Sequence, residues 1–302
     1  MSGIDQTYYK QLTRCPIVEL SGYTARHHLN GHLYACLLFD GPTGTGKDAL
    51  ATAMIRLATQ RGELKKGQPI VETGAGAFAA ALAIAAQRSS HPLTLVTPPG
   101  LPSERERFLQ DLGAKLHSCY ERPHGQPGMD ILARRLAEEQ NAYYMNYLAS
   151  EDNPEYHRRI TGPAIFKSTD NGDLIDAIVA GVGSGGTITG VGEFIKAWTN
   201  HIRMVAVEPY ECQAIGGGFL GPHGITNIGF GFVPENYNPY VVDFVLAVST
   251  GEAVQAAQDV LLTDGIPAGV SAGATLYAAR QMLEKGKSKS SLCIFQSRQI
   301  YM

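Results

Sequence analysis

The chain has 302 residues, 28 acidic and 25 basic, with a net charge of -3. That balance lacks the basic footprint of a nucleic-acid binder, and 44% hydrophobic with 18% charged residues excludes a disordered chain. No apolar run reaches membrane-spanning length, and the polar first ten residues lack a signal-peptide core, so a cytoplasmic protein is expected. Five cysteines (Cys15, Cys36, Cys119, Cys212, Cys293) are scattered without CxxC spacing, so most are expected as buried free thiols.

Along the chain, short apolar runs alternate with amphipathic stretches. Strands are expected at 33–39, 69–72, 93–97, 115–120, 142–147, 176–182, 204–208, 241–248 and 292–295. Helices are expected at 48–60, 77–88, 104–112, 129–140, 187–199, 252–263 and 272–284. Ser103 with Glu106, and Ser249 with Glu252, have capping-box spacing. This alternation predicts an α/β fold of parallel-type sheets covered by helices. Residues 213–240 are rich in Gly, Pro and Asn, and are expected to form a functional loop. The polar stretch 150–154 is the expected domain boundary.

Gly41-Pro42-Thr43-Gly44-Thr45-Gly46-Lys47-Asp48 follows a strand and opens a helix. It fits GxxxxGK of a P-loop, but that motif needs Ser or Thr next, to reach Mg²⁺. Asp48 would instead face nucleotide phosphates with like charge. The alternative is Lys47 as an amine that forms a Schiff base with an aldehyde cofactor. Residues 183–187 (Gly183, Ser184, Gly185, Gly186, Thr187) sit between a strand and a helix, where crowded N–H groups suit an anion. Ser271, in Gly269-Val270-Ser271-Ala272-Gly273, has the position of a helix N-cap. His27, His28 and His32 read as a surface loop, Tyr8-Tyr9 and Tyr143-Tyr144 as packing or dimer contacts. The alternating charges 104–107 read as a solvated helix face.

Together these segments resemble the cysteine synthase family, which includes the catalytic core of cystathionine β-synthase. Residues 42–48 resemble its PTGSxKD. Residues 176–190 (DAIVAGVGSGGTITG) resemble its phosphate loop, and 205–209 its VAVEP strand. Residues 221–223 and 228–234 resemble its GPH and IGAGFVP, 269–273 its GISSG-type turn, and Asn153-Pro154 with Thr161-Gly162-Pro163 its NP and TGP pair. The matches run in order from about Cys15 to Ser297. The resemblance implies two domains of the tryptophan synthase β-like kind, with pyridoxal 5′-phosphate (PLP) in the cleft between them. It implies a smaller, mobile substrate-side domain at 39–150, and a larger phosphate-binding domain from 1–38 with 151–302. It implies Lys47 as the lysine that carries PLP and acts as base. It also implies residues 183–187 as the phosphate site, Ser271 as partner of the pyridine nitrogen, and a homodimer.

The chain departs from the family around the expected substrate site. The family's TSGNTG loop aligns with Gly74, Ala75, Gly76, Ala77, Phe78 and Ala79, which removes every hydroxyl and the asparagine. A family Gln aligns with Tyr147, an alanine with Phe230, a glycine with Asn227, and the C-terminal DSG with Gln296-Ser297-Arg298. The reading is PLP-dependent β-replacement or β-elimination on a serine- or cysteine-type amino acid. The alternatives are a non-catalytic PLP-binding paralog and a P-loop nucleotide binder.

Overall fold

A computed structural model describes residues 6–298. In chain order the elements are α1 (Gln6–Leu12), β1 (Ile17–Glu19), α2 (Ser21–Arg26), β2 (His32–Leu37), α3 (Lys47–Gln60), β3 (Ile70–Thr73), α4 (Ala77–Arg88) and β4 (Leu93–Thr97). Next come α5 (Ser103–Asp111), β5 (Ala114–Ser118), α6 (Gln126–Glu139), β6 (Tyr143–Tyr144) and α7 (Asp152–Tyr156), a π-helical turn (His157–Thr161), and α8 (Gly162–Ser168). The chain finishes with β7 (Ala177–Gly181), α9 (Gly186–Trp198), β8 (Arg203–Pro209), a 3-10 turn (Pro239–Val241), β9 (Phe244–Val248), α10 (Thr250–Asp264), α11 (Val270–Glu284) and β10 (Ser290–Phe295).

The chain divides into two units. The first comprises Met1–Leu12, Gly41–Thr43 and Lys47–Asp152; the second comprises Thr13–Asp40, Gly44–Gly46 and Asn153–Met302. The first unit holds a four-stranded sheet, β5-β4-β3-β6, all parallel. The second holds a six-stranded sheet, β1-β2-β10-β7-β8-β9, parallel except for the β1–β2 pair. The α/β class and the two parallel-rich sheets are as the sequence predicts.

The period of two along the strands explains the layers of the second unit. Leu33 and Ala35, Ala177 and Val179, Val205 and Val207, and Cys293 and Phe295 pack into one core with α2, α10 and α11. Their alternates Tyr34 and Cys36, Ile178 and Ala180, Met204 and Ala206, and Leu292 and Ile294 pack into another with α8 and α9. In the first unit Val71 and Val96 pack on Met129, Leu132, Ala133 and Leu136 of α6.

Several local expectations need correction. Ser249 and Glu252 form a full capping box, but α5 starts at Ser103 behind Pro102, with no side-chain cap. Ser271 is no N-cap either; Gly269 holds that place. Cys119, Cys212 and Cys293 are free and buried, as expected of most of the cysteines, but Cys15, which precedes β1, is joined by a disulfide to Cys36 of β2. His27 is not in a surface loop: its ring packs on Tyr23 and its Nε2 lies 3.1 Å from buried Asp259. Tyr8 and Tyr9 pack under Arg88 and Arg56, and Tyr144 donates to Asp130.

The close packing of α11 on α10 rests on Gly273. A Cβ there would lie 2.0 Å from the Ala253 carbonyl oxygen and 2.9 Å from the Ala257 Cβ. Backbone cannot yield to that cheaply. Gly273→Ala should therefore cost about 1–3 kcal/mol and lower the melting temperature by several degrees. An unchanged melting curve would show that α10 and α11 are not held at this distance.

Candidate functional site

The first unit supplies Lys47, Phe78, Tyr147 and the 74–77 loop. Lys47 is the first residue of α3. Asp48, beside it, is buried, and its Oδ2 accepts from the Thr43 amide (3.0 Å) and hydroxyl (2.7 Å). Gly41 is required because a Cβ would lie 2.2 Å from that oxygen. Asp48 thus folds back to tie its own loop. It offers no hydroxyl to a metal, which removes the support for the P-loop alternative. Lys47 Nζ lies 5.4 Å from the centre of the Tyr147 ring. That ring stacks on Phe78 at 3.9 Å with 11° between planes, and both rings are buried.

The loop joins β3 to α4. Gly76 is the N-cap of α4, with no side chain to bond the first-turn amides. Those amides have no acceptor inside the helix. A Cβ on Gly74 or Gly76 would meet no atom within 4 Å, so open space lies beside the loop. Arg105 of α5 grips its far side: Nε donates to the Ala75 carbonyl (2.7 Å) and Nη2 to the Gly76 carbonyl (2.9 Å). The reading of 104–107 as a solvated face holds for Glu104 and Arg107 but not for half-buried Arg105.

Glu72, at the end of β3, is the buried acid the sequence reading passed over. Its Oε1 accepts from the Thr73 amide (2.6 Å) and hydroxyl (3.1 Å), and its Oε2 from the Tyr147 amide (2.9 Å). One carboxyl therefore ties the entrance of the 74–77 loop to the backbone of Tyr147. The signal was an acid inside a short apolar strand, two residues before a glycine.

The second unit supplies the 183–187 loop. Gly185 has φ +82, and a Cβ there would strike Tyr237 at 2.7 Å, so glycine is needed on both counts. The helix α9 begins at Gly186, and its free first-turn amides and positive end suit an anion. Asn153 Nδ2 donates to the Ser184 hydroxyl at 2.9 Å, which leaves that hydrogen to be donated onward. Gln296 Nε2 donates to the Thr187 hydroxyl at 2.9 Å, and His157 Nε2 lies 3.1 Å from the same oxygen. Among the described residues no carboxylate bonds to this loop. A neutral, donor-rich cup of this kind fits a phosphate ester.

Ser271, buried in the first turn of α11, has its hydroxyl 3.0 Å from that of Ser297. Asn227 and Phe230 border the 183–187 loop: a Cβ on Gly183 would meet the Asn227 carbonyl at 2.3 Å and Phe230 Cζ at 3.3 Å. Asn227 has φ +70, so asparagine keeps a left-handed backbone that the family's glycine adopts freely. Gly44, Thr45 and Gly46, which precede Lys47, are laced to the segment after β10. The Gly46 amide donates to the Gln296 carbonyl (2.8 Å), Thr45 bridges Ser297, and the Gly44 carbonyl accepts from the Arg298 amide (3.0 Å).

Burial pushes the Glu72 carboxyl up to about 7, against the three hydrogen bonds that pull it down; the charge of Asp130 on α6 adds to the rise. The folded chain thus holds this proton more tightly than the unfolded chain. The stability it gives is complete below the ordinary value of 4.5 and is lost as pH rises to about 7. Glu72→Gln has no proton to lose. Across that window, melting scans should show the unmodified chain losing stability relative to Glu72→Gln. A difference that stays constant with pH would contradict this.

The profile of the pyridoxal-phosphate dependent enzymes matches residues 9–297. The chain is 34% identical to cysteine synthase of Staphylococcus aureus (strain Mu50 / ATCC 700699) over 272 residues, 88% of this chain and 85% of that protein. It is 35% identical to cysteine synthase A of Escherichia coli (strain K12), over 84% of this chain and 81% of that one. Among solved structures, O-ureido-L-serine synthase superposes with a TM-score of 0.88 at 28% identity, covering 98% of this chain and 92% of the other. This chain belongs to the pyridoxal-phosphate dependent enzyme family that contains cysteine synthase.

Proposed function

We propose that the protein catalyses β-replacement on a serine-type amino acid, with Lys47 carrying the PLP. The observation that carries the reaction class is the Ser271–Ser297 hydroxyl pair, 3.0 Å apart and buried. A hydroxyl facing the ring nitrogen is neutral and leaves it unprotonated, where a carboxylate would hold a proton on it. That tempers electron withdrawal and favours exchange of a β-substituent over transamination. The relatives named cysteine synthase and O-ureido-L-serine synthase support the same class.

Bound PLP supplies an electron sink for the pair left at the substrate α-carbon. The chain's own groups do the rest. The amides and hydroxyls of residues 183–187 hold the phosphate, and Ser271 meets the ring nitrogen. The Gly76 and Ala77 amides take the substrate carboxylate. Lys47 Nζ, once the substrate amine has taken its place, would remove the α-proton; the β-substituent would leave with the electron pair of its broken bond, the incoming nucleophile would form the new β-bond, and Lys47 would return the proton to the α-carbon. Phe78 and Tyr147 wall the space beside Lys47, and Asn227 and Phe230 border the phosphate cup. In this reading residues 39–150 are the smaller, mobile, substrate-side domain, and residues 1–38 with 151–302 hold the phosphate. The protein works as a cytoplasmic homodimer; exposed Phe219, Leu220, Val233 and Tyr240 support a covered surface.

Borohydride reduction of the PLP-loaded protein should place the pyridoxyl group on Lys47, and Lys47→Ala should abolish that product. A pyridoxyl group on another lysine contradicts the assignment. Activity with O-acetylserine and sulfide should be poor. The loop has lost side-chain hydrogen bonds worth typically about 0.5–1.5 kcal/mol each, and the positioning they give. Restoring them with Ala75→Ser, Ala77→Asn and Phe78→Thr should raise that activity in steady-state assays. Efficient cysteine synthesis by the unmodified chain would show the loop reading wrong.

A further inference from the structure

The two carbonyls that Arg105 grips belong to peptide units whose other ends are the Gly76 and Ala77 amides. A trans peptide is planar, with its N–H directed opposite to its C=O. The Gly76 carbonyl also accepts from the Ala80 amide of α4 (3.3 Å), so the helix and Arg105 together turn the Ala77 N–H away from the guanidinium, while Arg105, through the Ala75 carbonyl, turns the Gly76 N–H the same way. Both Arg105 contacts are charge-assisted, which shortens and strengthens them. A polarised carbonyl makes its own peptide N–H a better donor.

Arg105 has the means to hold this geometry. Its guanidinium lies 5.1 Å from the Phe108 ring centre, a cation–π contact that helps hold it in place. Among the described residues it forms no ion pair, so its charge is not already spent on a carboxylate. The loop it grips retains no side-chain donor and borders open space.

We propose that Arg105 is a positioning residue for the amino-acid substrate, holding the Ala75 and Gly76 carbonyls so that the Gly76 and Ala77 amides face the substrate carboxylate. The inference rests on the reading that this loop takes the carboxylate. It explains how a loop stripped of hydroxyls and amide side chains still orders an anion: the donors are backbone, and a cation behind them sets the direction of the Gly76 amide and shares with α4 that of the Ala77 amide. Lysine can substitute only in part, because its ammonium can reach the carbonyls but lacks the fixed planar fork of a guanidinium.

The test uses PLP-loaded protein titrated with L-serine and, separately, with ethanolamine, which is serine without its carboxylate. Binding is followed by the change in cofactor absorbance. The unmodified protein should prefer L-serine. In Arg105→Gln that preference should fall about tenfold or more, corresponding to about 1.4 kcal/mol, with ethanolamine affinity, melting temperature and borohydride labelling of Lys47 retained. Arg105→Lys should fall between the two, and it carries the test if Arg105→Gln does not fold. A folded variant that keeps the full preference overturns the proposal. So does a loss shared equally by both ligands, which marks a merely structural arginine. An unmodified protein with no preference for L-serine instead overturns the underlying reading of the loop.

Discussion

Parallel strands must return to the same end of the sheet, so each helix that follows one starts beside that strand's carboxyl end. The first amides of such a helix cannot bond within it. In this chain β3 runs into α4 and β7 into α9, and each junction is built from glycine and small residues. Each unit therefore has one junction whose first-turn amides suit an anion. In the proposed function the surroundings of each set of amides decide which anion it takes.

At the α9 junction the surroundings are neutral donors. Ser184 and Thr187 are buried, and each is supported by a side-chain amide, from Asn153 and Gln296. At the α4 junction the side-chain donors are gone, and the order comes from behind and from below. Arg105 holds the carbonyls, and Glu72 ties Thr73 to Tyr147. Phe78 and Tyr147 stack on each other beside Lys47. Removing polar side chains and adding aromatic ones changes shape and selectivity while leaving the backbone donors in place.

The sequence shows most of the scaffold, because the long apolar helices α3, α4 and α11 and the buried strands β4, β7 and β8 have a strong pattern of their own. It does not show β1, whose three residues are too few for any period, nor the helical run from α7 to α8. Pro154 and Pro163 there look like loop residues, yet Pro163 sits in the first turn of α8, where a missing N–H costs nothing. Lys47 and the glycines of residues 183–187 are legible because residue type at fixed spacing carries the resemblance to the family. Arg105 is not legible, because its partners are carbonyls some thirty residues away that any residue could provide. Asn227 reads as added bulk until its positive φ shows a backbone reason for it.

The most direct measurement is a crystal structure of Lys47→Ala loaded with PLP and a serine-type amino acid, in which the missing base lets the substrate persist. The expected result places the substrate carboxylate within hydrogen-bond distance of the Gly76 and Ala77 amides, with the phosphate on residues 183–187 and the ring nitrogen at Ser271. A carboxylate held elsewhere, or a ring nitrogen turned away from Ser271, would contradict the proposed arrangement.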